Sequence, residues 1–430
     1  MKLTVHRGTK EIGGSCVELS TATTRLVLDL GLPLVDANRE PFDGRAALLK
    51  PLDDLKATKV VPAVAGLFDT ATAPPDAILL SHAHLDHAGL LHLSRPTVPI
   101  YATKGTSKAM LAAAVFAGQK ELDSERFREV VSGQTFQVGD CRITPLAVDH
   151  SIFGSVAFLI EAGGKVLLYS GDLRNHGRKP GMMRELLEKA KERRVDVLLV
   201  EGTHFGSDKE QGITEFELEE SVVKLVQTAP ALVLACFSAL DLDRLVTLYR
   251  SAQRTGRTFV ADAYTAFVLY LVGSQVRVPR PTRENGIRVY FNRSFERRNI
   301  ENLQDKFRPD RIELSEVLIE PKRHLMVFRP SMTALDFAGK LPHGSRCLYG
   351  YWKGYLVRQD WVELQEQLAQ VEGDFIPAHT SGHIYIADLI AFVKAVAPGR
   401  VIPVHTFEPQ AFREHFDNVQ LLDDGRPIDF

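Results

Sequence analysis

Short apolar segments alternate with turn signals and amphipathic stretches along the first 200 residues of the chain. The apolar segments predict buried strands at residues 25–30, 77–80, 166–169 and 195–200. Helical periodicity predicts helices at residues 104–119 and 181–194. Because the strands alternate with helices, the pattern indicates an α/β fold built from layers.

A second α/β pattern follows this one. It predicts helices at residues 215–227 and 240–255, and strands at residues 231–236, 258–261 and 325–328. The tail then returns to the first style, with a strand at 375–377, a helix at 385–396 and a strand at 400–404. The order of elements predicts two α/β regions, the first of them discontinuous in sequence.

Composition excludes several classes of protein. The chain has 430 residues and a formal charge of −2, with 45% hydrophobic and 25% charged residues. These values are ordinary for a globular protein and exclude disorder, collagen-like repeats and a uniformly basic surface. The four cysteines lie far apart with no Cys-x-x-Cys pair. We therefore expect free, buried thiols in a reducing cytoplasm. The N-terminus and the longest apolar run predict neither a signal peptide nor a membrane span.

The segment HAHLDH at residues 82–87 directly follows a predicted strand. It offers four candidate ligands in six residues, namely His82, His84, Asp86 and His87. Imidazole and carboxylate groups suit zinc or another first-row divalent ion, and a tight turn after a strand lets such side chains converge. The alternative is a polar surface turn, which the residue types and their spacing argue against.

Two more candidate ligands lie just beyond predicted strands. His150 occurs in the segment VDHSIFGS, and Asp172 occurs in YSGDLR. A structural role is the alternative for His150, but the strand-end position and the neighbouring glycine favour metal binding. Asp29, which follows a strand, is predicted to orient a ligand histidine rather than to bind the ion.

These segments resemble the metallo-β-lactamase superfamily, whose His-x-His-x-Asp-His motif builds a two-metal site on an αββα sandwich. The resemblance covers residues 1–205 and 375–430 and implies a hydrolase. Relatives act on lactams, thioesters, lactones or phosphodiesters, so the fold does not select one reaction. Ala83 stands where the flavin-partnered di-iron relatives carry Glu, which argues against oxygen chemistry.

A long segment separates Asp172 from His405, and this layout resembles the β-CASP nucleases, in which a second α/β domain is inserted into the first. The resemblance predicts a core at residues 1–205, an inserted β-CASP domain at 206–372 and the return of the core at 373–430. Glu201, His383 and His405 match the three acidic and histidine motifs of that family. The Ser-Gly-His and Pro-Val-His segments are most similar to ribonuclease J and its relatives. The chain differs from them in Thr406-Phe407-Glu408 after the third motif, and because only 25 residues follow His405 we expect their additional C-terminal domain to be absent.

The resemblance also implies a role for each site residue. One ion would be held by His82, His84 and His150, the other by Asp86, His87 and His405, and Asp172 would bridge the two. The ions, Zn²⁺ with Mn²⁺ as the alternative, would activate a bridging hydroxide. His383 would protonate the leaving oxygen, and Glu201 would orient His383. These two residues and Asp86 form the catalytic set. Ser381 and Gly382 would bind a phosphate oxygen, and His379 is a candidate for orienting a motif residue.

Residues 277–298 form a basic segment with seven arginines and two glutamates, interleaved with Tyr290, Phe291 and Phe295. Arginine forks bind phosphates and aromatic faces stack on bases, so Arg293 and Arg297 are candidate RNA contacts. The alternative is a solvated basic surface whose aromatic residues belong to the core. Arg329 and Ser331 follow an apolar strand and are predicted to face a cleft between the domains.

The leading hypothesis is a metal-dependent ribonuclease that cuts single-stranded RNA internally, from the 5′ end, or both. DNA is an open second substrate, and a homodimer is the default assembly. A small-molecule ester or lactone hydrolase and a non-catalytic RNA-binding protein are the alternatives. The motif trio of Glu201, His383 and His405 argues against the first of these, and the complete ligand set argues against the second.

Overall fold

The computed structural model describes residues 1–36, 38–298 and 300–430. The chain forms two compact units, each with its own hydrophobic core. The first unit comprises Met1–Asn175, Lys179–Gly212 and Gly382–Phe430, and the second comprises His176–Arg178 and Ile213–Ser381. In sequence, the second unit is therefore inserted into the first.

The helices and strands are numbered in chain order. The strands are β1 (Lys2–Arg7), β2 (Cys16–Ser20), β3 (Arg25–Leu28), β4 (Ala77–Leu79), β5 (Ile100–Thr103), β6 (Phe127–Val130), β7 (Phe136–Val138), β8 (Cys141–Ala147), β9 (Val156–Ala162), β10 (Lys165–Tyr169), β11 (Val197–Glu201), β12 (Val233–Cys236), β13 (Thr258–Asp262), β14 (Ile287–Tyr290), β15 (Arg311–Ile312), β16 (His324–Val327), β17 (Arg346–Tyr349), β18 (Asp374–Pro377), β19 (Arg400–Val404) and β20 (Ile428–Asp429). The α-helices are α1 (Gly44–Ala47), α2 (Leu52–Ala57), α3 (Leu85–Ala88), α4 (Lys104–Ala117), α5 (Pro180–Arg193), α6 (Glu215–Thr228), α7 (Leu242–Arg254), α8 (Ala263–Val272), α9 (Arg293–Glu296), α10 (Glu301–Phe307), α11 (Leu314–Ile319), α12 (Pro330–Leu335), α13 (Gln359–Gln370) and α14 (Ile386–Val396).

The first unit is a sandwich of two mixed sheets. Their strand orders are β20-β1-β2-β3-β4-β5-β6 and β19-β11-β10-β9-β8-β7. The inner faces share one core, to which β3 contributes Leu26 and Leu28 and β9 contributes Phe158. Helices cover both outer faces, since α14 packs on the second sheet and α3 on the first. The arrangement is the αββα sandwich that the sequence predicted.

Strands β3, β4 and β11 of this unit are buried on both faces, because the structure covers both sides of them. In β3, Leu26 and Leu28 point into the inner core, whereas Val27 points toward the helices of the outer layer. The sequence predicted that this strand continues to residue 30, but it ends at Leu28. Asp29 takes a left-handed backbone conformation with φ of 58°, which an extended strand cannot accommodate.

The second unit is built on a parallel sheet with the order β15-β14-β13-β16-β12-β17-β18. Its core includes Leu234 of β12, Met326 of β16 and Trp361 of α13. The edge strand β18 pairs in parallel with β17. The sequence assigned this strand to the returning core, at residues 373–430. In the structure, the first unit resumes at Gly382, because the backbone groups of β18 pair with the inserted sheet.

One further expectation from the sequence, which concerns the cysteines, is confirmed by the structure. The four cysteines are free and buried, as predicted. Among the described residues, no helix is both long enough and apolar enough to span a lipid bilayer.

The turn that carries the HAHLDH segment packs tightly against the chain that follows β3. Leu30 and Leu32 donate backbone hydrogen bonds to the carbonyl oxygens of His87 and Leu85, at 2.7 and 2.8 Å. Between them, Gly31 is so close that a Cβ atom there would lie 1.7 Å from the carbonyl oxygen of Asp86. This packing fixes the turn relative to the first sheet.

We expect Gly31→Ala to lower the free energy of unfolding by about 1–3 kcal/mol, because the backbone around Asp86 must move to admit a methyl group. Urea unfolding followed by circular dichroism measures the change. Gly181→Ala is the matched control, since the nearest atom to a Cβ there lies 3.9 Å away and alanine is the better helix former. Equal stability of the two variants would contradict the close packing.

Candidate metal centre

The predicted ligands sit at the ends of strands that run in the same direction. Strands β10, β11 and β19 are mutually parallel, and β8 has the same direction because both it and β10 are antiparallel to β9. Their carboxyl ends therefore meet at one edge of the sheet. This edge carries His150 after β8, Asp172 after β10, Glu201 in β11 and His405 after β19, while the turn after β4 supplies His82, His84, Asp86 and His87.

The convergent side chains form two groups that could each hold a metal ion, and a third combination, which joins Asp172 and His405 to Glu201 and His383, also brings its ligand atoms within 4.8 Å of one another. One group is His82, His84 and His150, and the other is Asp86, His87, Asp172 and His405; within each group the ligand atoms lie within 4.8 Å of one another. Asp172 reaches both groups. Its Oδ2 lies 3.2 Å from Nε2 of His87, 3.7 Å from Nε2 of His82 and 3.8 Å from Nε2 of His150.

Hydrogen bonds decide which ring nitrogen of each histidine faces the group. The Nδ1 of His87 lies 2.7 Å from Oδ2 of Asp29, and the Nδ1 of His150 lies 2.6 Å from the carbonyl oxygen of Gly382. A carboxylate or carbonyl oxygen only accepts, so each Nδ1 must carry the proton. The lone pair of each ring is then on Nε2, the atom that faces Asp172.

Asp29 sets the tautomer of His82 indirectly, through the hydroxyl group of Ser81. Its carboxylate accepts hydrogen bonds from the backbone N–H and the hydroxyl of Ser81, both at 2.7 Å. Since the Ser81 proton is used in this way, its oxygen accepts from Nδ1 of His82 at 3.0 Å. Tyr169 donates a further bond to Asp29 at 2.7 Å, and burial together with Asp29 raises the pKa of this phenol, which keeps the donor protonated.

The two groups differ in their electrostatics. Burial lowers the pKa of His84 to about 4 and the pKa of His82 and of His150 well below the ordinary value, so these rings are neutral and can donate lone pairs. Burial also lowers the pKa of His87, but the nearby Asp172 and Asp29 outweigh it and raise that pKa. The second group thus concentrates negative charge, which a proton or a cation must balance.

Several ligand atoms are buried without a hydrogen-bond partner. Within residues 1–36, 38–298 and 300–430, this holds for Nε2 of His82, Nε2 of His87 and both carboxylate oxygens of Asp172. Unpaired buried polar atoms are costly, and these converge on shared points. Imidazole nitrogens and carboxylate oxygens are also the donors that divalent first-row ions take. The residues therefore fit divalent metal ions.

His383 and Glu201 form a pair beside the second group. The Nδ1 of His383 lies 3.0 Å from Oε2 of Glu201, whose other oxygen accepts from the backbone N–H of Leu173 at 2.8 Å. Burial lowers the pKa of His383, but Glu201 and Asp172 outweigh it and raise the value to about 9. The ring is 23% exposed. A protonated histidine that is partly open to solvent is suited to donate a proton.

Sequence reasoning missed three residues that hold these groups in place. Thr203 contacts both His383 and His405 through its hydroxyl; its signal in the sequence is its position two residues after Glu201. Asp149 and Arg174 form a buried ion pair, with Nε of Arg174 at 3.0 Å from Oδ1 of Asp149. Asp149 directly precedes His150, and Arg174 lies two residues after Asp172. The ion pair therefore connects the two loops that carry these ligands.

The predicted substrate residues are mostly in the second unit. There Arg329 pairs with Asp262 at 3.0 Å and donates to the carbonyl oxygen of Phe237 at 3.1 Å. Arg293, Arg297 and Ser331 are exposed. His379 lies in this unit with its Nδ1 3.1 Å from the carbonyl oxygen of Gly350. The carbonyl oxygen of Ser381 lies 2.7 Å from Nε2 of His176.

The proposed base-stacking role of the aromatic residues in the basic segment is wrong. Tyr290, Phe291 and Phe295 are all buried, and Tyr290 donates to Asp336 at 2.7 Å. Tyr290 ends β14, which lies inside the sheet of the second unit, Phe295 lies in α9, and all three side chains are buried residues of that unit. The structure agrees with the alternative interpretation. The segment exposes Arg293 and Arg297 on the surface, and its aromatic side chains are buried.

Comparison with known proteins gives consistent results. A family model described as "Beta-lactamase superfamily domain" matches residues 55–236. The RNase J-like protein of Methanocaldococcus jannaschii is 25% identical over 277 residues, which cover 61% of this chain and 58% of the relative. Ribonuclease J of Mycolicibacterium smegmatis is 25% identical over 363 residues, which cover 77% of this chain and 58% of the relative. This chain thus spans little more than half the length of these relatives. A crystal structure described as a protein of unknown function from Enterococcus faecalis matches with a TM-score of 0.77 over 99% of both chains at 21% identity, which shows a shared fold.

Two facing sheets with helices on both outer sides, and a His-x-His-x-Asp-His turn at their edge, define a metallo-β-lactamase fold. Residues 55–236 of this fold are the part that matches the β-lactamase superfamily domain. The inserted α/β unit and the similarity to proteins named ribonuclease J are features that the chain shares with the β-CASP family.

We expect Asp29→Asn to weaken metal binding by about 10- to 100-fold, because an amide nitrogen in place of a carboxylate oxygen can no longer fix both His87 and Ser81. Competition of a colorimetric chelator for Zn²⁺ measures the affinity. Asp417→Asn is the control, since this aspartate is exposed in the same unit. An affinity equal to that of the control would mean that Asp29 does not orient the ligands.

Proposed function

We propose that the chain is a metal-dependent ribonuclease that hydrolyses phosphodiester bonds in single-stranded RNA. The observation that carries the proposal is the position of Asp172, whose buried carboxylate reaches two histidine-rich groups. Its Oδ2 also lies 3.7 Å from Nδ1 of the acid candidate His383. A site with two cation positions and an adjacent proton donor has the parts that phosphodiester hydrolysis needs.

In this proposal, His82, His84 and His150 would hold one ion, Asp86, His87 and His405 would hold the other, and Asp172, which reaches both groups, would contribute to both. Zn²⁺ is the first choice and Mn²⁺ the second. When bound, the ions would lower the pKa of the attacking water and neutralise the charge that develops on the phosphate.

The remaining chemistry falls to His383 and Glu201. A 3′ oxygen leaves as a poor, charged group unless it is protonated, and a histidine with a pKa near 9 carries the required proton at neutral pH. Glu201 accepts from Nδ1 of His383, so the proton to be delivered is on Nε2. The backbone of Gly382 and the hydroxyl of Ser381 are proposed to bind a phosphate oxygen.

RNA is the proposed substrate for two reasons. Relatives that match this chain are named ribonuclease J and RNase J-like protein. The basic segment also presents Arg293 and Arg297 on the surface of the second unit, where they can bind phosphates. Buried free cysteines fit action in a reducing cytoplasm.

We expect purified protein to contain about two metal ions per chain and to cleave single-stranded RNA, and we expect His84→Ala to abolish cleavage and release metal. Metal is measured by mass spectrometry, and cleavage on RNA and DNA with 5′-phosphate, 5′-triphosphate or 5′-hydroxyl ends. His343→Ala is the control, as its side chain is 74% exposed in the other unit. Wild-type turnover by His84→Ala protein would show that the activity belongs elsewhere.

We expect His383→Ala to retain both metal ions but to lose about 10²- to 10⁴-fold in kcat, because general acid catalysis contributes in that range. The same metal analysis and single-turnover kinetics test this result. A substrate with a leaving group that needs no protonation should recover most of the loss. If the variant instead loses metal, His383 is a ligand and not the proton donor.

A further inference from the structure

One hydroxyl group, that of Thr203, touches three functional side chains. Its Oγ1 lies 2.6 Å from Oε2 of Glu201, 2.9 Å from Nδ1 of His405 and 3.2 Å from Nδ1 of His383. Thr203 follows β11 and is half-buried. The carbonyl oxygen of His405 is a further acceptor within reach, but at 3.5 Å it is much farther than the carboxylate.

Counting protons gives one consistent arrangement of this cluster. A threonine hydroxyl has one proton to donate and two lone pairs to accept with. The carboxylate of Glu201 can only accept, and at 2.6 Å it requires the threonine proton between the two oxygens. The lone pairs of Thr203 therefore accept from the two histidines, and each Nδ1 must carry a proton.

This arrangement fixes the binding atom of His405. With its proton on Nδ1, the neutral ring has its lone pair on Nε2, which lies 3.2 Å from Oδ2 of Asp86. A lone pair and a carboxylate oxygen at this distance repel each other unless positive charge lies between them. A metal ion or an added proton meets that need, so Thr203 directs His405 to bind through Nε2.

The same hydroxyl constrains His383. Its Nδ1–H is shared between Oε2 of Glu201 at 3.0 Å and Oγ1 of Thr203 at 3.2 Å. Because these two acceptors are themselves joined by the threonine proton, the ring is held in one orientation. Bonds in such a chain strengthen one another, so the orientation of His383 depends on the contact between Thr203 and His405.

We propose that Thr203 is a positioning residue that sets the tautomer of His405 for metal binding and the orientation of His383 for proton donation. The part that concerns His405 depends only on the ligand groups. The part that concerns His383 rests on the proposed function.

The test compares Thr203→Val, which keeps the shape and removes the hydroxyl, with Thr203→Ser, which keeps the hydroxyl. Thr144→Val is the matched control, because Thr144 lies in β8 of the same unit and its hydroxyl bonds to Thr135. For each full-length protein, Zn²⁺ affinity is measured by chelator competition and the histidine tautomers by ¹⁵N chemical shifts of histidine-labelled protein. Steady-state cleavage of RNA gives kcat and KM.

We expect Thr203→Val to bind the more weakly held ion about 10- to 100-fold less tightly and to lose the Nδ1–H signature of His405. We expect kcat to fall by at least about tenfold with KM unchanged, since proton donation and not RNA binding is affected. Thr203→Ser should restore all three readouts, and Thr144→Val should leave them at wild-type values.

Two results would overturn the proposal. The first is a Thr203→Val protein with wild-type affinity and tautomers. The second is a Thr203→Ser protein as impaired as Thr203→Val, since the hydroxyl would then not be responsible; this comparison holds even if valine disturbs folding. Failure of the proposed function is a separate outcome: wild-type protein would not cleave RNA, while the affinity and tautomer readouts would still decide the role of Thr203.

Discussion

The carboxylate of Asp29 joins the two sheets of the first unit at the point where the ligands converge. It accepts hydrogen bonds from Ser81 after β4, from His87 in α3 and from Tyr169 at the end of β10. Ser81 follows a strand of the first sheet, His87 lies in the helix after it, and Tyr169 ends a strand of the second sheet, so one buried group fixes the relative position of all three. Because the carboxylate only accepts, it also fixes the protons of the groups that face it.

The same principle recurs across the site. In His87, His150 and His405, the Nδ1 proton is hydrogen-bonded to an oxygen outside the ligand groups. The hydroxyl oxygen of Ser81 accepts the corresponding hydrogen bond from His82. Every one of these rings therefore turns its Nε2 lone pair toward Asp86 or Asp172. Lone pairs and carboxylates brought together in a buried space repel one another, and a divalent cation converts that repulsion into binding energy. The hydrogen bonds around the site thus prepare these histidines to bind a cation.

The ligands themselves were readable from the sequence because their signals are local. The HAHLDH segment places four candidate ligands in one turn, and His150, Asp172 and His405 each follow an apolar strand. Parallel strands bring their carboxyl ends to one edge, so strand-end residues are expected to meet. The sequence left two roles open for Tyr290, Phe291 and Phe295, and their burial rules out base stacking. The residue pattern of a short apolar segment does not reveal which side chains the rest of the fold will cover.

The sequence by itself determined the layered α/β character of the chain, the αββα sandwich implied by its motifs and the residue types gathered at one sheet edge. Tertiary structure alone decided that β18 belongs to the inserted sheet, because its edge pairing is a contact between distant segments. It also decided which side chains Thr203, Asp149 and Arg174 contact, because some of these contacts join residues about 200 positions apart in the sequence. A hydrogen bond depends on sub-ångström distances between side chains, and no pattern of residue types along one chain specifies those distances.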